Sequence, residues 1–584
     1  MKKILIAILG GFLVLSSCDD SFLDTTSTNY ITDDAVWTNA VTTQLFVSEV
    51  YNRTLSGPLY NMSEGCNNWY SFDHAFTDDM GIALTSLNEF SFTASNIPQY
   101  VRGRWDSCYA NIRRTNLALG KIPESTVLSD AEKERYEGDM YFMRALNYLE
   151  LWRFWGGVPL ITKALNRFTD DVFYERSTSE ETFQLIINDL DSAEMRLPKR
   201  SAMSASEYGR ATKGAAAGFK VVAYLHAAGV LDKKYYENAA QEAEKFILPT
   251  GDLYNEYTLF TAGGSDPATN FANLFLEDYE GNAEVIFDVQ YKNPVRTQRG
   301  YQTIAAPGYP GVGSDYGWGF SNPSQMIVDA FEMKDGTTFD WNNATEAADP
   351  YKNRDARFYA SVLYNGLVWK DSTLSLSSNR YIKDASGRWK KVTDNLPNGL
   401  YSSKSECTKT GYFIRKHQKE SVICGAKNRY TNMDGEGGNL IVLRYAEILL
   451  SYAEAKNEVS GPDATVYEAV NAVRKRAGQP DLPSGLDYLE MQKRIRNERR
   501  VELAFENKRY FDIIRWKAGE EYLNQPFYGM NITYELVDNV PVARYNKFVY
   551  FQKKFDPNKN YLFPIPQQAI NQNYKLAGHQ NPGW

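Results

Sequence analysis

Apolar residues along much of this chain recur at intervals of three and four, the spacing of one face of a helix. In "NLIVLRYAEILLSYAEAKNEV" the positions Val442, Ala446, Leu449, Leu450 and Ala453 keep that period. "GPDATVYEAVNAVRKRAGQ" follows as a second helix, with Gly461-Pro462 as the break and Gly478 as its C-terminal cap. A second pair is "TKGAAAGFKVVAYLHAAGV" with "YYENAAQEAEKFI", in which Ala215, Ala216, Ala217 and Gly218 allow close helix contact. A third is "MYFMRALNYLELWRFW" with "SEETFQLIINDLDSAEMRL", and a fourth, less regular, is "LEMQKRIRNERRVELAFENKRYFDIIRW". Between the pairs run long stretches without helical period. The stretch from Lys292 to Phe320 holds six Gly and three Pro and carries Tyr301, Tyr309, Tyr316, Trp318 and Phe320. Loops of this length in a compact body are uncommon and usually functional or disordered. The aromatics argue for order, either as rings presented to a ligand or as packing onto the scaffold.

Helix pairs of about 35 residues with small and aromatic contact positions resemble tetratricopeptide units, which stack into scaffolds. The N-terminus has a different pattern. Lys2 and Lys3 precede an apolar run, Ile4 to Leu15, that is shorter than the roughly 20 residues a spanning helix needs. It reads as a secretory signal peptide, residues 1–17. Leu15-Ser16-Ser17-Cys18 resembles the bacterial lipobox, which predicts cleavage before Cys18 and lipidation of its thiol. Two or more acyl chains hold a protein stably on a membrane.

Composition narrows the function. The formal charge is −8 over 584 residues, and no basic block stands out, which speaks against nucleic acid as a partner. Some of the 40 Tyr, 30 Phe and 11 Trp fill the core, and Tyr and Trp in loops suit binding surfaces, offering a flat apolar face and a polar handle. Cys66, Cys108, Cys407 and Cys424 allow three full pairings, and the sequence does not choose among them. The four His stand in no metal-ligand spacing, and no GxSxG elbow occurs. "GRATKGAA" from Gly209 has Ala215 where a phosphate loop needs Lys. "NMDGEGG" from Asn432 starts like a calcium loop but lacks the bidentate Glu. No cofactor is expected; calcium is left open without being predicted. Adjacent carboxylates such as Asp78-Asp79 arise readily among 72 acidic residues, so no catalytic site is assigned and the chain is read as a non-enzyme.

Several segments together carry a family likeness. "RRVELAFENKRYFDIIRW" (Arg499 to Trp516), "LRYAEILLSYAEA", the ending "LFPIPQQAINQNYKLAGHQNPGW", "MRALNYLELWRFWGGVPLI" and "GRATKGAAAGFKVVAYL" resemble, in order and spacing, the SusD/RagB family of surface glycan-binding lipoproteins. The resemblance runs from Cys18 to Trp584. It implies a mostly α, SusD-like fold with four tetratricopeptide-like helix pairs as scaffold and a loop-rich ligand-binding half. Residues 18–280 form the N-terminal region and 281–584 the C-terminal region of one compact body. It further implies a lipid anchor at Cys18 on the outer face of the outer membrane. Asp19-Asp20 resembles the export signal of such lipoproteins. The implied partners are an oligo- or polysaccharide and a SusC-type TonB-dependent transporter. Peptide import of the RagB type is the alternative, and a surface glycosidase a remoter one. The hallmark segment is read as a structural helix, with Val501, Ala504 and Phe505 facing a core and Glu506, Arg509 and Asp512 alternating in sign at i,i+3.

The resemblance places the ligand site in two regions, Asn67 to Tyr100 and Lys292 to Phe320. The candidate ring faces are Trp318, Tyr316, Tyr309, Tyr301, Trp69 and Tyr70. Asn68, Asp73, Asp78 and Arg296 are the candidate hydroxyl partners.

Overall fold

The computed structural model of the chain describes residues 33–56, 73–82, 90–292, 295, 319, 321–369, 372–393, 408–421 and 438–584. The fold is mostly α. In the first half of the chain lie α1 (Ala40–Ser56), α2 (Gln99–Lys121), α3 (Asp130–Trp155), α4 (Ser179–Arg196), α5 (Lys213–Val230) and α6 (Tyr235–Ile247). In the second lie α7 (Tyr445–Ser460), α8 (Ala464–Arg476), α9 (Tyr488–Glu502) and α10 (Arg509–Arg515). Helix starts are written locally: Ser129 with Glu132 and Thr178 with Glu181 close capping boxes on α3 and α4. Gly461 and Gly478 follow α7 and α8 at φ 78° and 72°, conformations that suit glycine after a helix end.

The predicted pairs are steps in a longer stack. α2 packs on α3, α3 on α4, α4 on α5, α5 on α6 and α6 on α7, and α7 carries both α8 and α9. Each helix thus buries its apolar stripe between two neighbours. A Cβ on Gly218 of α5 would stand 2.6 Å from Leu443 Cδ2, so this small residue marks close approach to the buried run Leu440–Arg444 rather than to a neighbouring helix. One contiguous cluster of buried apolar side chains runs from Val47 to Leu576.

Two expectations need correction. "NLIVLR" opens as a strand, β4 (Leu440–Arg444), antiparallel to β2 (Val285–Val289), and α7 begins only at Tyr445. Both strands are buried, and a short, wholly apolar run does not distinguish strand from helix. The hallmark segment is two helices: α9 ends at Glu502, Phe505 and Asn507 adopt φ of 64° and 60°, and α10 starts at Arg509. α9 lies on α7, whereas α10 lies on α5.

Nor do Glu506, Arg509 and Asp512 pair with one another along a surface. Glu506 accepts from Arg444 (2.7 Å) and Lys416 (2.6 Å). Arg509 reaches Asp78 (2.9 Å), and Asp512 takes Arg499 (3.1 Å) and Arg515 (2.8 Å). Glu502, fully buried, receives Arg444, Arg476 and Arg357, and Arg444 also holds Glu284 at 2.7 Å. Burial opposes ionisation of Glu502, but these three guanidiniums overcome it and hold the carboxyl far below the usual range.

Candidate functional site

The two regions expected to supply a ligand site meet at their roots. β1 (Met80–Ile82) and β3 (Ser321–Pro323) pair antiparallel, with Met80 opposite Pro323 and Ile82 opposite Ser321. Ser324 fastens the pair: its N–H donates to Asp79 O (2.8 Å) and its hydroxyl to Asp78 O (2.7 Å). Asn322 donates through Nδ2 to Gly319 O (3.0 Å) and accepts Lys409 N–H (2.9 Å), tying the end of the second region to a third segment. Beneath β1 lies the long hairpin β5 (Pro526–Val537) and β6 (Val540–Gln552). The fit is close: a Cβ on Gly81 would stand 3.1 Å from the Phe551 ring and 3.3 Å from that of Phe527.

Of the ten predicted ligand residues, only Asp73 and Asp78 fall among the described residues, and both are 4% exposed or less. Asp73 receives Arg104 at 3.1 Å, and Arg104 continues to Glu150 at 2.9 Å. Asp78 receives Arg509 (2.9 Å) and Arg500 (2.8 Å), and Arg500 also holds Asp79 (2.7 Å). Burial works against ionisation, yet Arg500 and Arg509 bring Asp78 down to about 2. The expectation that these two carboxylates face sugar hydroxyls is therefore corrected: they turn inward, Asp73 to Arg104 of α2 and Asp78 to Arg500 and Arg509, which locks the root of the first region to α9 and α10. Trp318, Tyr316, Tyr309, Tyr301, Trp69, Tyr70, Asn68, Arg296 and the lipidation residue Cys18 lie outside the described residues, as do the "NMDGEGG" stretch up to residue 437 and Cys66, Cys407 and Cys424. Cys108 is a free, buried thiol, pushed up to about 12 by burial.

Sequence reasoning missed a second feature. β2 leads to Tyr291 and Lys292, and β4 is preceded by Asn439, so two further loop roots stand side by side. Asn439 joins them: its Oδ1 accepts Tyr291 N–H (2.9 Å) and its Nδ2 donates to Asp288 (2.9 Å). Gln290 donates to the other Asp288 oxygen at 2.7 Å, and burial raises that carboxyl above its ordinary value. A cleft of about 150 Å³ opens here between Arg200, Tyr208, Arg210, Asp288, Gln290 and Asn439. Tyr208 is 55% exposed at this cleft. Planar amides, guanidiniums and a carboxylate beside a tyrosine face are the chemistry that reads neighbouring hydroxyls. The signal was weak, because these residues come from three distant segments. Among the described residues no cluster of His, Cys, Asp and Glu suits a metal ion, and no helix is long and apolar enough to cross a membrane.

Residues 283–584 match the family model described as the SusD family. The chain belongs to the SusD family. Residues 21–225 match a second SusD-like model, described as starch-binding associating with outer membrane. SusD-like protein P38 of Formosa agariphila is 25% identical over 532 residues, covering 87% of this chain and 90% of that protein. A SusD-like protein of Bacteroides fragilis superposes with a TM-score of 0.73 at 27% identity, over 95% of this chain and 99% of its own. A second B. fragilis structure, described as a SusD-like carbohydrate-binding protein, gives 0.74 at 24% identity over 92% and 99%. The SusD-like fold thus extends over nearly the whole chain, and the paired roots at β1 and β3 lie within it.

Proposed function

We propose that this SusD-family chain is a lipid-anchored, cell-surface glycan-binding protein that captures oligo- or polysaccharide and hands it to a SusC-type TonB-dependent outer-membrane transporter. The observation that carries the reading is the β1–β3 pairing, which holds the roots of two aromatic-rich loop regions together in a chain of this family. The starch-binding description of the second family model and the carbohydrate-binding relative from B. fragilis support a sugar ligand. The rings of Trp318, Tyr316, Tyr309, Tyr301, Trp69 and Tyr70 meet the C–H faces of the sugar, and Asn68 and Arg296 pair with its hydroxyls. The chain binds without hydrolysing. Delivery, not turnover, is its task.

Calorimetric titration with a panel of glycans and peptides tests this reading. A glycan is expected to bind and to keep its chain-length profile on prolonged incubation. Trp318 is flanked by Gly317 and Gly319 and ranks first as an anchor, so Trp318→Ala is expected to lose about 2 kcal/mol of affinity with an unchanged melting curve. Binding of peptides alone would favour the RagB-type reading, and undiminished glycan affinity in Trp318→Ala removes that residue from the site. The anchor is checked separately. Cys18→Ala should leave the outer-membrane fraction in cells lacking the transporter; if it stays there, Cys18 is not the anchor.

A further inference from the structure

Away from the loop roots, the helical stack forms a half-open cleft of about 430 Å³. This volume is in the range of small-ligand sites. Its walls come from the C-terminal end of α3, the turn before α4, the end of α5, the residues after α10, and Tyr561-Leu562. Val230, Leu231, Ile514 and Leu562 make it apolar.

The two charged side chains among the described residues at this cleft, Arg176 and Lys517, are both cationic. Arg176 donates to Gly157 O (2.7 Å), Trp155 O (2.8 Å), His579 O (2.8 Å) and Asn581 Oδ1 (2.5 Å). All four acceptors are neutral, so its charge is held but not neutralised. Lys517 is exposed at the cleft's edge, held there by a backbone at φ 54°. Its ammonium lies 4.7 Å from the centre of the Tyr561 ring, and it has no carboxylate partner among the described residues. His226 is 3% exposed, and its Nδ1 has no hydrogen-bond partner, although the ring meets Trp152 edge-on at 4.8 Å. A buried polar atom left without a partner is costly and calls for an explanation. Among the described residues no Asp or Glu lines the cleft, in a chain whose net charge is −8. Glu181, in the first turn of α4, accepts the N–H (2.8 Å) and hydroxyl (2.9 Å) of Thr178 on one oxygen, Oε2.

We propose that this cleft is a second ligand site, distinct from the loop-borne one, and that it takes a small organic monocarboxylate with an apolar body. The carboxylate meets Lys517 and the field of Arg176, and the body fills the aliphatic walls. A neutral molecule of the same shape lacks the charge pairing, and a polyanion such as phosphate lacks the apolar body.

The test uses the full mature chain with benzoate and isovalerate as probes and benzamide and isovaleramide as neutral isosteres. Melting curves and calorimetry are expected to show saturable binding of at least one carboxylate and of neither amide. Lys517→Met keeps an unbranched side chain out to Cε without the charged Nζ. It is expected to melt as the wild type and to lose roughly tenfold or more in carboxylate affinity, the scale of a charge-assisted contact. The proposal is overturned if neither carboxylate binds, if the amides bind equally well, or if Lys517→Met binds the carboxylate undiminished.

Discussion

Glu502 shows how far a residue's role departs from its local sequence context. In "RRVELAFEN" it reads as an ordinary helix-end glutamate, yet its carboxylate is the meeting point of Arg357, Arg444 and Arg476, drawn from three distant segments. The sign alternation of Glu506, Arg509 and Asp512 was legible; their partners were not, because Arg444 and Asp78 come from 62 and 431 residues away. Asp78 misled for the same reason: an acidic "TDDM" beside an aromatic run looks like surface until Arg500 and Arg509 arrive. Removing one partner from such a buried cluster leaves uncompensated charge, which costs far more than the intact cluster contributes. Glu502→Gln keeps the shape and deletes the charge. It is expected to destabilise the protein by about 3–5 kcal/mol, read as a lower urea midpoint. A loss under about 1 kcal/mol, the scale of a surface pair, would mean the cluster is effectively solvated.

At the level of elements, helices with aliphatic stripes were legible and those with polar core faces were not. α2 escaped notice because its buried face mixes Val101, Trp105, Cys108 and Ile112 with Arg104, Asn111, Thr115 and Asn116. The β5–β6 hairpin did leave a signal, Asp538-Asn539 between alternating runs, and both residues take positive φ, 48° and 61°, as a two-residue hairpin turn requires. Two helix glycines give a matched test of packing against propensity. Gly229 on α5 sits where α10 crosses, and a Cβ there would be 2.0 Å from Arg515 O. Gly120 near the end of α2 has nothing within 4 Å of that position. Gly229→Ala is therefore expected to cost about 1–3 kcal/mol by forcing the helices apart, whereas Gly120→Ala should gain about 0.5–1 kcal/mol from helix propensity. Thermal melts of the two variants decide it. Equal and stabilising shifts would refute the close α5–α10 contact.

Across the whole molecule, ties between distant parts of the chain run through buried carboxylates and through the ends of helices. Asp78 joins the first loop root to α9 and α10; Glu506 joins β4 to the turn after α9, and Glu284, just before β2, joins β4 to Arg476 of α8; Trp155 Nε1 donates to Pro564 O at 2.8 Å. The general fold was legible because helix stripes and family segments recur along the chain. The position of the loop roots was not, since it depends on a three-residue strand pair 240 residues apart in sequence. This architecture makes a prediction about acid. Burial raises Asp78 and Glu506 while their arginine and lysine partners lower them further, leaving both at about 2. In the unfolded chain such groups titrate near 4. Between those values the unfolded state holds protons that the folded state does not, so stability is level above about pH 5 and falls as the pH drops toward 2. Because Asp78 ties the first half of the chain to Arg500 and Arg509 of the second, helix content and tryptophan fluorescence are expected to be lost together in one transition. Asp78→Asn should start from a lower stability and show a shallower acid dependence, having lost one of the titrating ties. Two separated acid transitions, one for each half, would show that these contacts do not couple the halves.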